Sequence, residues 1–418
     1  MSSSAGRLTS EPGGARIVSI DLLRGLDVLL MLFVNEVASV TGAPAFLLHK
    51  TAADDGMTLT DIVFPAFLFI VGLAIPFALG GRISRGETRS AVFRHVLART
   101  FALLVVGVFM VNAEESAPGL LSPGLWNVLM TVGVVLVFRS KAPLDPSPWP
   151  SRLRLAGIVL LACLAVVYTS RSVDGLLQMR PHWWGILGLI GWAYLVAAAI
   201  YLLAGERPVV HLGAMALLYC LYLADVVGQV WWLAALRPYV DVGSALGSHA
   251  AIVVAGTVLS LMLRAHGRDG RPPARFVATA LWYAAGLAAA GFMLHSLHSL
   301  HRAFEIGKLG ATVPWCLFSS AATAAAWVVV YFLADVRGWR SWPRAVVIAG
   351  ENALVAYLLA PFLLSLLALS APLFGGVNVY AALGANTVVG LVRSAVFAYL
   401  VVLLCGALRS RGLRLQLG

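Results

Sequence analysis

The chain has 418 residues, of which 60% are apolar and only 12% charged, about half the charged fraction of an ordinary soluble domain; a soluble globular protein is excluded. The formal net charge of +11 would suit a nucleic-acid binder, but the basic residues lie in short segments between apolar runs, the pattern that orients helices in a bilayer, so no nucleic-acid partner is expected. All four cysteines (Cys163, Cys220, Cys316, Cys405) fall inside apolar runs, where a thiol behaves as a small hydrophobe rather than as part of a disulfide framework.

Residues 1–15 read as a Ser/Gly/Pro-rich cytoplasmic tail, expected to be disordered, with no cleavable signal peptide. Residues 16–418 read as a single transmembrane domain. Apolar stretches recur that are long enough to cross a hydrocarbon core of ~30 Å. They are uninterrupted rather than alternating, which selects helices over a closed barrel.

Helices are predicted at 17–40, 58–80, 96–112, 120–138, 153–170 and 183–204, then at 209–233, 245–264, 276–297, 312–334, 345–370 and 385–408. The expected fold is all-α, a polytopic bundle of about 10–12 helices; the count is open around 113–123, where the Pro118–Pro123 hairpin could be re-entrant. Trp183-Trp184 and Trp231-Trp232 stand at predicted helix ends, as interfacial aromatics do. With the N-terminus inside, 22 of the 30 Lys and Arg fall on the inner side and six on the outer, with Arg24 and Arg393 inside helices. That asymmetry places both termini in the cytoplasm; the plasma (inner) membrane is the expected location.

An ionisable side chain in a membrane helix costs about 2.5–3.5 kcal/mol on insertion scales and needs a partner or a task. The first predicted helix carries Asp21, Arg24, Asp27, Asn35 and Glu36. At ~100° per residue Asp21, Arg24 and Asn35 share one stripe, flanked by Asp27 and Glu36. Two readings stand: an interior ion pair that fixes helix register, or a binding surface for an anionic ligand. Arg24 lies ~12 Å inside the cytoplasmic end and Asn35 a further ~16 Å along.

His49 follows in the first outer loop, near Asn35 and near Asp61 at the start of the second helix. An unperturbed imidazole titrates near neutral pH and can take and return a proton, with Asp61 fixing its tautomer. Thr58 with Asp61 also fits a helix-start capping box, which explains Asp61 without any chemistry. A third cluster, His295, His298 and His301 followed by Glu305 and Lys308, lies at the outer end of the ninth helix. It reads as the polar mouth of a substrate site; no metal is expected, because no carboxylate–histidine motif accompanies it and ligands at i, i+3 and i+6 splay.

At these residues the sequence resembles the heparan-α-glucosaminide N-acetyltransferase-like transmembrane acyltransferases, in particular their prokaryotic members. The matching blocks are Arg16 through Asp21 and Arg24-Gly25, Phe33-Val-Asn35, His49, and Asp55-Gly56-Met-Thr-Leu-Thr-Asp61-Ile-Val-Phe64-Pro65 running on to Gly72. Further blocks are Trp183 through Tyr194, Lys308 through Trp315, and Gly350-Glu-Asn352 through Tyr357. The sequence departs from some relatives at Ala52–Gly56, where they have a tryptophan–glycine pair, and at Gly307, where they have Asn. No counterpart of the animal enzyme's luminal domain is expected.

The resemblance implies transfer of an acetyl group from cytoplasmic acetyl-CoA, as donor substrate, to an amine or hydroxyl of an extracytoplasmic glycan or sugar. His49, Asn35 and Asp61 are then the expected catalytic residues, with His49 as general base or transient acetyl carrier and Asn35 at the oxyanion. Asp21, Arg24, Arg82 and Arg85 would meet the CoA, and Lys308, His298 and Asn352 the acceptor. The lipid bilayer is the expected surrounding, and a homodimer is one admissible assembly. The alternative from another class is a proton-coupled secondary transporter of an organic anion or sugar, since twelve helices with inside termini are a common transporter layout. A non-catalytic scaffold would not sustain so costly a polar stripe.

Overall fold

The structure, a computed structural model, describes residues 17–140, 151–172, 178–181, 185–339 and 341–415; the expected tail at 1–15 and the pair Trp183-Trp184 lie outside the described residues. In chain order the helices are α1 (Val18–Val37), α2 (Leu59–Ser84), α3 (Arg89–Glu114), α4 (Pro123–Phe138), α5 (Ser151–Val166), α6 (Ile186–Ala204) and α7 (Pro208–Val226). They continue with α8 (His249–Arg268), α9 (Pro273–His295), α10 (Val313–Tyr331), α11 (Arg344–Glu351), α12 (Ala353–Leu369), the short α13 (Val379–Ala382) and α14 (Thr387–Ser410). The fold is thus all-α apart from a two-residue antiparallel pairing of Arg139–Ser140 with Arg414–Leu415 and one isolated bridge between Ser116 and Ser170.

Local chemistry sets the boundaries. The Thr88 side chain accepts the Ala91 N–H at the start of α3, and Ser122 accepts that of Leu125 at the start of α4, where Pro123 occupies the first turn. Gly205, at φ 64°, closes α6. Inside α2, Pro76 has no N–H to give the Gly72 carbonyl one turn earlier. Thr257 Oγ1 of α8 lies 3.2 Å from that oxygen and donates to it, which a lipid-embedded backbone requires.

Eight described helices are each long and apolar enough to cross a membrane, and a ninth span results if α11 and α12 count as one bent pair. α1 matches them with 20 residues, ~30 Å, but carries its charged stripe; α4 and α5 have 16 residues each, ~24 Å. The chain is a multi-pass membrane protein. Three predicted helices come out differently, one of them α7, which stops at Val226 rather than near 233. The run at 345–370 is broken by 97° at Asn352, whose own side-chain amide donates to the Ile348 carbonyl at 2.8 Å and satisfies the end of α11. α3 begins at Arg89 rather than near 96, because Arg89, Arg94 and His95 continue the helix below the apolar run.

α2, α8 and α10 form the centre, with α8 buried on nearly every face. Close approach rests on small residues. A Cβ at Gly72 would strike the Val253 carbonyl of α8, and one at Gly256 that of Phe69 on α2; Gly25 and Gly350 make the same reciprocal crossing between α1 and α11. By contrast α7 and α9 show solvent-side apolar residues such as Leu217, Trp282, Phe292 and Met293. Such a belt would be a liability in water and is the face lipid covers.

Candidate active site

A cavity of about 520 Å³ runs between α1, α2, α3, α6 and the α11–α12 break. From α2 it is lined by Thr60, Val63, Phe64, Phe67, Val71, Ile75 and Leu79, a helical stripe whose ends stand ~28 Å apart along the axis. α1 supplies Arg24, Asp27, Val28, Met31, Val34 and Asn35 on one face. The cavity therefore follows the length of a membrane-crossing helix. Its middle is apolar and its two ends are not.

One end is built on the loop between α1 and α2 and on the start of α2. Asp61 has a side chain only 1% exposed, against 44% for His49, and its Oδ1 lies 2.7 Å from His49 Nδ1. Its other oxygen, Oδ2, accepts the backbone N–H groups of Thr58 (3.1 Å) and Lys50 (3.2 Å) and lies 3.1 Å from the Thr58 hydroxyl. Thr58 Oγ1 also donates to the Leu48 carbonyl at 2.8 Å. The capping box and the imidazole contact are thus both present, divided between the two oxygens of one carboxylate. With Nδ1–H donating to Asp61, the ring's Nε2 is left as the proton acceptor, and His49 lines the cavity.

Lys308, from the loop between α9 and α10, brings its Nζ to 3.1 Å from Nδ1 and 3.2 Å from Nε2 of His49. Since Nδ1 is engaged by Asp61, Nε2 is the nitrogen that can accept from the ammonium. Burial holds Lys308 below the usual lysine range, with the Asp61 carboxylate pulling the other way. The α1–α2 and α9–α10 loops are stitched together here: the Gly56 N–H donates to the Ile306 carbonyl at 2.8 Å, the Ile306 N–H to Asp55 at 2.7 Å, and Arg302 to the Ala52 carbonyl at 2.8 Å. Asn35 lines the same end, and its side chain makes no hydrogen bond among the described residues, so its amide is open to the cavity.

The other end is cationic. Arg24 pairs with Asp21 at 2.9 Å, and its Nη1 is 3.4 Å from the Gly350 carbonyl. His95 and Arg99, one turn apart on α3, line the cavity below it, and the Arg99 guanidinium lies 5.0 Å from the ring centroid of Tyr194 on α6.

A family model described as a domain of unknown function, DUF5009, matches residues 16–239, more than half of the chain. The chain belongs to that family. Human heparan-alpha-glucosaminide N-acetyltransferase is 31% identical to it over 129 residues, 31% of this chain and 18% of the human protein. The mouse protein of the same name is 30% identical over 127 residues, 30% of this chain and 18% of the relative. The match thus spans less than a fifth of each relative's length. Over that segment the DUF5009 chain is similar to heparan-alpha-glucosaminide N-acetyltransferase.

Of the residues singled out in the DUF5009 sequence, His49, Asn35, Lys308 and Arg24 line the cavity, with Asp61 directly behind His49 and Asp21 behind Arg24. Four others are not in the lining. Arg82 pairs with Glu87 at 3.0 Å and Arg85 caps the end of α2. Asn352 is taken up by the α11–α12 break, and His298 stacks on His295 with ring centroids 5.1 Å apart. Among the described residues no group of three or more His, Cys, Asp or Glu is placed to hold a metal ion. Sequence reasoning missed His95, Arg99, Tyr194, Thr60 and Tyr357. The spacing of His95 and Arg99 at i, i+4 was the available signal, but a helix starting near 96 separates them.

Proposed function

We propose that this chain is an acyl-CoA-dependent transmembrane acyltransferase that moves an acetyl group from cytoplasmic acetyl-CoA to an amine or hydroxyl of an extracytoplasmic glycan or sugar. One observation carries the reading: a single cavity has a carboxylate-held imidazole and an open amide at one end, and Arg24, His95 and Arg99 at the other. The likeness to N-acetyltransferases supports it, as does the charge asymmetry, which favours a cytoplasmic cationic end; the membrane of this reading is the plasma (inner) membrane.

In this reading the CoA phosphates stay at the cationic end and the pantetheine arm extends through the apolar middle. The acceptor amine or hydroxyl takes the place of the Lys308 ammonium at His49 Nε2, which removes its proton as it attacks the thioester carbonyl. The oxyanion is met by the Asn35 amide, and collapse of the tetrahedral intermediate expels the CoA thiolate, which takes the proton back from Nε2. Asp61 holds the tautomer and stabilises the imidazolium. An acetyl-histidine route uses the same groups, with Nε2 attacking the thioester first. Ping-pong kinetics and acetyl on His49 after rapid quenching belong to that route alone.

The test uses purified protein in proteoliposomes with labelled acetyl-CoA. CoA binding, together with transfer or thioester hydrolysis that disappears in His49→Ala, supports the enzyme. No CoA binding, with uptake of an organic anion or sugar instead, makes the chain a transporter.

A further inference from the structure

Asp27 is the lining residue the reaction above leaves unused. The residue is only 7% exposed and lies on the cavity face of α1 one turn from Arg24. Oδ2 is covered and has no hydrogen-bond partner, and among the described residues no donor reaches either oxygen. Arg24 turns to Asp21 instead. The other acid in the lining, Glu351, is held by Arg409. A carboxyl group left unsatisfied in an apolar wall is costly unless a ligand supplies the missing donor.

Depth identifies that donor. Asp27 lies eight residues from Asn35 along α1, ~12 Å, and Arg24 eleven residues, ~16 Å. An extended amide chain advances about 1.2 Å per bond. Measured from a thioester sulfur at the Asn35 level, the arm's second amide nitrogen, about seven bonds away, falls at ~8 Å. The carbinol carbon of the pantoyl unit, about nine bonds away, falls at ~11 Å, and the first phosphorus, about thirteen bonds away, at ~16 Å. The phosphate thus coincides with Arg24 and the carbinol hydroxyl with Asp27.

We infer that Asp27 is a specificity-determining residue for the donor, accepting a hydrogen bond from the carbinol hydroxyl of the pantetheine arm. This rests on the acyl-CoA reading given above. The neighbouring wall of Val28, Met31 and Val71 suits the gem-dimethyl group that adjoins that hydroxyl.

Binding of CoA and of adenosine 3′,5′-bisphosphate, which has the nucleotide but no arm, is measured calorimetrically on the full chain in detergent. Asp27→Ala is expected to weaken CoA about 10–100-fold and leave the bisphosphate unchanged. Asp27→Asn, which keeps an acceptor oxygen, should lie within a few-fold of wild type. Equal losses for both ligands, or no loss for CoA, overturn the assignment. If Asp27→Ala does not fold, the wild-type chain carries the test with CoA lacking the carbinol hydroxyl, expected about tenfold weaker and overturning the assignment if it binds as tightly as CoA. Wild-type protein that binds no CoA would instead defeat the acyltransferase reading itself.

Discussion

Asp61 divides its two oxygens between a helix cap and an imidazole, and the two jobs separate under substitution. Asp61→Asn keeps one acceptor oxygen but replaces the other with a donor, so either the cap or the Nδ1–H contact is lost. The capping loss amounts to about 1 kcal/mol of stability; the loss of a fixed tautomer should lower kcat/KM for acetyl transfer by about 10²–10⁴-fold. Thermal unfolding and steady-state kinetics on the same preparation check this, and a large fall in melting temperature with little kinetic change would assign Asp61 to folding alone. Lys308 permits a second prediction. Its ammonium lies against Nε2 of His49, and burial lowers its pKa, so the charge is lost as pH rises at a lower pH than for a free lysine. If that charge assists transfer, kcat/KM has an alkaline limb below the usual lysine range, absent in Lys308→Met and displaced upward in Lys308→Arg. A profile unchanged in Lys308→Met removes the lysine from the reaction. Of this site, the His49–Asp61 contact was legible because the residues are close in sequence and their types imply the chemistry. Lys308 comes from a loop 259 residues away; its polar cluster was legible as the mouth of a site, but nothing in the spacing put it against His49.

Helix by helix, hydropathy located nearly every element because a spanning segment must be apolar and backbone-satisfied throughout. It failed where charge or a polar side chain sets the boundary. The basic first turns of α3 lie below any apolar window, and Asn352 ends α11 through its side chain in the middle of an apolar run. What holds the helices together was not legible either, since a glycine in a membrane segment does not announce which backbone it faces. Gly72 and Gly256 do so in the structure, each against the other helix's carbonyl. Gly72→Ala must push α8 from α2, and overpacking of this kind costs about 1–3 kcal/mol. Gly213 on α7 has nothing within 4 Å of the same added atom, so Gly213→Ala should be neutral or slightly stabilising. Melting curves of the solubilised variants decide it: equal behaviour of the two would mean that the α2–α8 crossing is looser than described. Because α2 also lines the cavity over ~28 Å, Gly72→Ala should weaken CoA binding as well.

At the scale of the molecule, the proposed transfer depends on which way the cavity points. In the proposed orientation, argued from charge asymmetry, the Arg24–Arg99 end faces the cytoplasm and the His49 end the outside, and a donor made in the cytoplasm can serve an acceptor outside only that way round. The loop between α1 and α2 exposes Ala53, and the loop between α8 and α9 exposes Asp269; with α2 to α8 each crossing the membrane, the two loops lie on opposite sides. The four native cysteines sit within helices or their apolar surroundings, so a cysteine-substituted variant of either loop position gives a readable signal above that background. In intact cells a membrane-impermeant maleimide should label Ala53→Cys, whereas Asp269→Cys should label only after permeabilisation. The reverse pattern would turn the cationic end outward, leave cytoplasmic CoA facing His49, and remove the reason for a cavity that crosses the membrane. Labelling of Asp269→Cys in intact cells with Ala53→Cys silent is therefore the one result that no adjustment of the site chemistry could accommodate.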